Sequence, residues 1–290
     1  MRRTWIVGLW IAAGGSVGCS GQSSTPDGDL QATDGDADTD ADADADSDTD
    51  TDTDSDADTD PTTVPTASLD GTVLAADGGP FAGAPIRFCR NGFCKNGESD
   101  AAGAFAFTEV PSEWHALEAV SLDPIEVGGL ATAFVPLSFA DDEHRAVELT
   151  MLPFTSGGPV AIAPSEQSVG EGLWITAGRD DLVPPLFFDD ATAVAGVQLP
   201  PSAWVPVDGI AGTVLAMWYV GPFDYKAADA AGIPVRIANT FGLADGDTVE
   251  VYVGSYDDSA WLPGGTATAD GADLVGAHLP VLATVIVVAP

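Results

Sequence analysis

GTVLAADGGPFAGAPIRFCRNGFCKNGESDAAGAFAFTEVP, residues 71–111, reads as short strands cut by tight turns. Strand-like runs, Ser68–Leu74 and Ala84–Phe88, flank AADGGPFAG, where Gly83 can supply a turn of positive φ. Asp100 and Gly103 suit the turn before the alternation Ala104-Phe105-Ala106-Phe107, which places both phenylalanines on one strand face. Cys89-Arg90-Asn91-Gly92-Phe93-Cys94 centres on Asn-Gly, a strong two-residue hairpin signal. With that loop, Arg90 and Phe93 close the hairpin and Cys89 faces Cys94. Their Cα atoms should lie about 4.5–5.5 Å apart, within disulfide reach. Two free thiols are the alternative. A zinc site would need two further ligands, and none stands nearby.

The same pattern continues outward. Leu117–Leu122, Ala131–Phe139 and Arg145–Leu152 complete a first β-rich module, residues 67–153. Residues 71–88 followed by SDAAGAFAF at 99–107 resemble the carboxypeptidase regulatory-like domain. Ser99-Asp100 replaces that family's Thr-Asp, while Gly103 and Phe105 are kept. The resemblance implies a seven-stranded, transthyretin-like sandwich that acts as a noncatalytic accessory.

Residues 154–290 form a second β-rich module with strands expected at Val160–Ala163, Leu173–Thr176, Ala193–Leu199, Val214–Val220 and Ile233–Ile237. Thr248–Val253, Ala260–Leu262, Gly265–Ala269 and Ala283–Val288 follow. The last of these is uniformly apolar and should be buried on both faces. GLADGDTVEVYVGSYDDSAW at 242–261 and WLPGGTATADGADLVGAHLP at 261–280 resemble domains found after Ig-like repeats in large bacterial surface proteins. Trp204, Trp218, Tyr219, Tyr225, Tyr252, Tyr256 and Trp261 either fill this core or present an aromatic platform for sugar or peptide. Neighbours on a strand point to opposite faces, so Met217-Trp218-Tyr219 should leave an aromatic exposed. The fold class is all-β, two Ig-like or transthyretin-like sandwiches after an acidic linker.

The N-terminus reads as an export signal, residues 1–18. Arg2-Arg3 precede an apolar run, 4–13, that is too short to span a bilayer. Ser16-Val17-Gly18-Cys19 resembles a bacterial lipobox, with Ser16 where Leu or Val is usual. That resemblance implies a diacylglyceryl group on Cys19 and a membrane partner through the lipid. Ordinary signal cleavage leaving a free thiol is the alternative. Cys19 is the odd cysteine once Cys89 and Cys94 pair, which favours modification. The location implied is a bacterial cell envelope, lipid-anchored, in the outer membrane. An oxidising compartment permits the disulfide.

Residues 19–66 form the tether. Sixteen aspartates fall within residues 27–60. They near-alternate with small residues and bury nothing, which predicts a disordered spacer reaching roughly 150 Å at full stretch. The D-x-D-x-D spacing superficially matches calcium loops, but it lacks their turn glycine and final glutamate, so only weak, nonspecific divalent binding is expected there. The whole chain carries a net charge of −36. Nucleic acid is therefore an unlikely partner.

No catalytic motif stands out, and the chain is expected not to be an enzyme and to need no cofactor or metal. Its ligand would be an unknown protein or glycan. Glu113-x-His115-x-x-Glu118 offers a loop that could in principle hold a metal. Asp141-Asp142, Asp180-Asp181, Asp189-Asp190 and Asp257-Asp258 read as solvated turns, from which a glycosidase pair could be drawn only by long-range folding. The roles open from sequence are adhesion, assembly or ligand capture, an accessory that binds carbohydrate or peptide, and a hydrolase with carboxylates on the second module.

Overall fold

A computed structural model of the chain describes residues 66–90, 93–122, 125, 128–154, 159–186 and 188–290. The export signal, Cys19, the Asp-rich tether and the Asn91-Gly92 turn lie outside these residues. All described residues belong to one compact unit.

The first half is a seven-stranded sandwich. One sheet runs β4 (Ala104–Pro111), β1 (Thr66–Ala75), β7 (His144–Met151), with β1 antiparallel to β4 and parallel to β7. The other runs β3 (Phe93–Glu98), β2 (Pro85–Arg90), β5 (Trp114–Ala119), β6 (Ala133–Ser138), all antiparallel. Leu69, Ile86, Phe107, Leu117 and Leu149 fill the space between. The turn chemistry is as expected. Gly83 and Gly103 hold φ of 77° and 76°. Asp100 Oδ1 accepts the amides of Ala102 and Ala104 at 2.8 and 2.9 Å. A Cβ at Gly103 would overlap the Val73 carbonyl oxygen. Phe105 and Phe107 are both buried on the core face. Strand β5 starts earlier than expected and ends before Leu122, which is exposed.

The second half is a ten-stranded antiparallel sheet. It is ordered β8 (Val160–Ala161), β12 (Ala193–Gln198), β13 (Thr213–Gly221), β20 (Thr284–Ala289), β16 (Thr248–Ser255), β17 (Ala260–Asp270), β18 (Asp273–Leu279), β15 (Ile233–Ala238), β10 (Leu173–Ala177), β9 (Ala163–Gly170). The sheet curls until β9 packs on β12. Two glycines make the seam: a Cβ at Gly170 would lie 3.0 Å from Gly196 backbone atoms. A ribbon of β11 (Leu182–Val183), β14 (Tyr225–Ala227) and β19 (Val281–Leu282) lies beside it. The curl encloses Leu173, Ile175, Trp218, Val251, Leu274 and Val285.

Along β12, β13 and β20 the outer face of this sheet is not solvated. Val197, Met217, Tyr219, Ile286 and Val288 join the core of the first sandwich, while Phe134 and Ala116 of the first sandwich join the second core. Thr284 Oγ1 donates to the Phe134 carbonyl at 2.6 Å across the same boundary. β20 is therefore buried on both faces, as its composition indicates. The same packing corrects the expectation for Met217-Trp218-Tyr219. Both aromatics are buried, because each face of β13 meets a core.

A polar clamp spans the boundary as well. Arg145 of β7 is paired bidentately with Asp208, with Nη2 to Oδ1 at 3.0 Å. Asp208 also accepts the Ser138 amide at 2.8 Å, and Arg145 donates to the Ser138 carbonyl at 2.6 Å. Both side chains are largely buried. Removing one partner strands the other charge, so Arg145→Ala should cost about 3 kcal/mol. Equilibrium urea unfolding of the two proteins reads this directly.

Candidate functional site

Between strands β2 and β3 and the end of β4 lies a cavity of about 390 Å³. Strand alternation decides what lines it. Phe88 and Arg90 of β2, Phe93 and Lys95 of β3 and His115 of β5 face it, with Cys94, Val110 and Pro111 completing the wall. The size and mostly apolar lining with a few polar groups fit a small-molecule site.

The floor is fixed by aromatic packing. The Phe88 ring stacks on His115 at 4.6 Å and on Phe107 at 5.2 Å, and meets the edge of Phe139 at 5.8 Å. Burial lowers the His115 pKa and favours the neutral ring. The Glu113 carbonyl, 3.1 Å from Nδ1, can only accept, so Nδ1 carries the proton and Nε2 is left as an acceptor.

The rim is cationic. Lys95 Nζ donates to the carbonyls of Thr108 and Glu109 at 2.6 and 2.9 Å. Arg90 pairs with Glu113, and its buried Nε–H has no acceptor. Phe93 stands beside these cations and is 84% exposed.

Behind the hairpin, Cys89 and Cys94 form the expected disulfide, with Cα atoms at 4.0 Å, closer than the pairing rule suggested. It is more than a local staple. The Tyr256 hydroxyl lies 2.9 Å from Cys89 Sγ and 3.1 Å from Cys94 Sγ. Disulfide sulfur has no proton, so the tyrosine donates to both. Tyr256 stands edge-on to Phe223, and both rings lie near Phe134. The second half thus holds the wall of a cavity in the first.

The Glu113-x-His115-x-x-Glu118 set does not form a metal site. Glu113 lies in the bend before β5, whereas His115 and Glu118 lie on the strand rather than a loop and face opposite sides of it. Glu113 is spent on Arg90, and Glu118 pairs with Arg87 at 3.4 Å. Among the described residues no group of three or more His, Cys, Asp or Glu could hold a metal. The four Asp pairs are all exposed in turns and loops, as expected. Trp218, Tyr219, Tyr225 and Trp261 are buried, and Trp204, Tyr252 and Tyr256 are half-buried, so these aromatics build core and boundary.

Two further features carry charge. A shallow trough of about 860 Å³ crosses the β4-β1-β7 sheet, floored by small residues such as Ala104, Ala106 and Ala146 and rimmed by Asp70, Glu98, Asp100 and Glu148. At the boundary, Glu118 is 1% exposed, and burial pushes its pKa up to about 7 against the pull of Arg87. Burial, and then the charge of Asp257, lifts Asp224 to about 6.

A carboxyl with a raised folded pKa holds its proton more tightly when folded. The stability Glu118 contributes is full below about pH 4.5 and is lost as pH rises through about 7. Glu118→Gln should therefore raise stability at pH 8 by about 2–3 kcal/mol and leave it nearly unchanged at pH 4. Denaturant unfolding of both proteins across that range measures the difference.

No family model matches the chain, and no curated protein matches it. Among solved structures, a 5-hydroxyisourate hydrolase of Klebsiella pneumoniae is 20% identical over 30% of this chain and 90% of its own, at a TM-score of 0.25. A DUF3823 family protein of Bacteroides ovatus is 11% identical over 74% of this chain and 82% of its own, at 0.24. A Bacteroides uniformis protein, named as a candidate carbohydrate binding protein, is 14% identical over 78% of this chain and 100% of its own, at 0.24. At these scores the likenesses carry no argument about what this chain binds.

Proposed function

We propose that the chain is a noncatalytic lipoprotein of a bacterial cell envelope. A lipid on Cys19 holds it in the outer membrane, the Asp-rich tether gives reach, and the fused β-unit captures a ligand in the hairpin cavity. The observation that carries this reading is the cavity itself: an aromatic floor, an exposed Phe93 and two cationic side chains in a strongly acidic chain. The hydrolase alternative has weaker support. Glu118 and Asp224 are the carboxyls whose pKa values burial lifts furthest, but Glu118 is covered by packing and a substrate bond cannot reach it. Asp257 is paired with Lys226, and Asp141-Asp142, Asp180-Asp181 and Asp189-Asp190 are exposed. No helix among the described residues is long and apolar enough to cross a membrane, and the anchor rests on the lipobox resemblance.

The anchoring is tested by feeding an alkynyl fatty acid to bacteria that make the full chain. Wild type should take up label and sediment with membranes, whereas Cys19→Ser should be unlabelled and released. An unlabelled wild-type chain would contradict the proposal.

A further inference from the structure

We infer that the hairpin cavity selects ligands that join a flat, ring-sized body to a carboxylate, with the body against Phe93 and the carboxylate near Lys95 and Arg90. This rests on the capture reading above and adds the chemistry of what is captured. Residues 61–290 contain seven bases in all, and three of them, Arg87, Arg90 and Lys95, fall within residues 87–95. Arg90 and Lys95 line one cavity. A cation pair would be ordinary in a basic protein. Here it stands out against an acidic body that lowers the potential nearly everywhere else and repels anions.

The pairing of these cations leaves room for an anion. Lys95 spends two donors on neutral carbonyls, which leaves its charge uncompensated and one N–H free. Arg90 is matched by Glu113 alone and keeps an Nε–H without an acceptor. Among the described residues that line the cavity there is no carboxylate, though Glu113 is paired with Arg90 beside it, in contrast to the trough, which Asp70, Glu98, Asp100 and Glu148 line. A carboxylate entering the cavity gains charge-assisted hydrogen bonds from the Lys95 ammonium. Phe93, beside both cations and held outward by the hairpin, offers its face to an aromatic ring or to the C–H face of a pyranose. An aromatic acid and an acidic sugar share this chemistry.

Binding of three matched probes, 2-naphthoate, 2-naphthamide and 2-naphthylmethylammonium, to the full chain tests the inference by calorimetry at low salt. A second arm compares galacturonate with galactose. The acid should bind at least about tenfold more tightly than the amide, and the ammonium more weakly than either. Lys95→Met should bring acid and amide within about twofold, with Lys95→Arg restoring the preference. Phe93→Ala should weaken acid and amide alike, and far-ultraviolet circular dichroism of each variant should match wild type, since both side chains are exposed. Equal binding of acid and amide by wild type would overturn the anion selectivity and leave capture standing. Failure of every probe and sugar to bind would overturn the inference together with the capture reading. Preference for galacturonate over naphthoate would support the inference and identify the acidic-sugar source.

Discussion

Met217→Lys is expected to destabilise the protein by more than about 4 kcal/mol. Met217 is fully buried, and its Sδ lies 3.4 Å from the Val205 amide. It sits on the outer face of β13, where an isolated sandwich would be wet. In this chain that face is the floor of a second core, shared with residues from β1 through β7. A lysine there must bury an unpaired ammonium or pry the halves apart. Leu186→Lys, at a position 85% exposed, should leave the unfolding midpoint within about 0.5 kcal/mol of wild type. If Met217→Lys behaved like Leu186→Lys in guanidinium unfolding, the shared core would be wrong.

Gly196→Ala should cost roughly 3 kcal/mol, through backbone rather than side-chain packing. An added Cβ would overlap the Val169 carbonyl oxygen and press on the Tyr219 carbonyl. Both neighbours are main chain within paired strands, so neither can swing aside. Opening the β9–β12 seam would expose Leu173, Val194 and Ile175, and amide exchange of β9 and β12 should quicken well before that of β16. Uniform quickening of all strands would point to a general loss of stability rather than an opened seam.

These two effects mark where sequence reasoning stops. Residues 71–111 disclose their own structure because each signal is local. Gly83, Asp100 and Gly103 specify turns, Phe105 and Phe107 share a face by alternation, and the cysteine register follows from a two-residue loop. β20 discloses its burial because Val285 to Val288 are all apolar. The second half hides more. β9 is polar, APSEQSVG, and is stabilised at the sheet's end by Gln167, whose side chain donates to the carbonyls of Ala163 and Ala177. β11, β14 and β19 are two or three residues long, too short for any period to show. That both faces of β13 are covered depends on residues far away in the chain, and the Phe134–Thr284 bond crosses the same boundary. The cavity was legible in part. Its bases crowd residues 87–95, and an apolar Phe93 beside a tight turn is unusual, but only the fold brings His115, Val110 and Pro111 around them.

The central claim is capture at the hairpin cavity, and its most direct measurement is amide and methyl shift mapping of the full unlipidated Cys19→Ser chain against a library of small ring-bearing fragments. The account predicts shifts that converge on residues 88–95, 110–111 and His115, with every fragment recovered chemically unchanged. Shifts centred on the Asp70–Glu148 trough, or cleavage of fragments near Glu118 and Asp224, would contradict it.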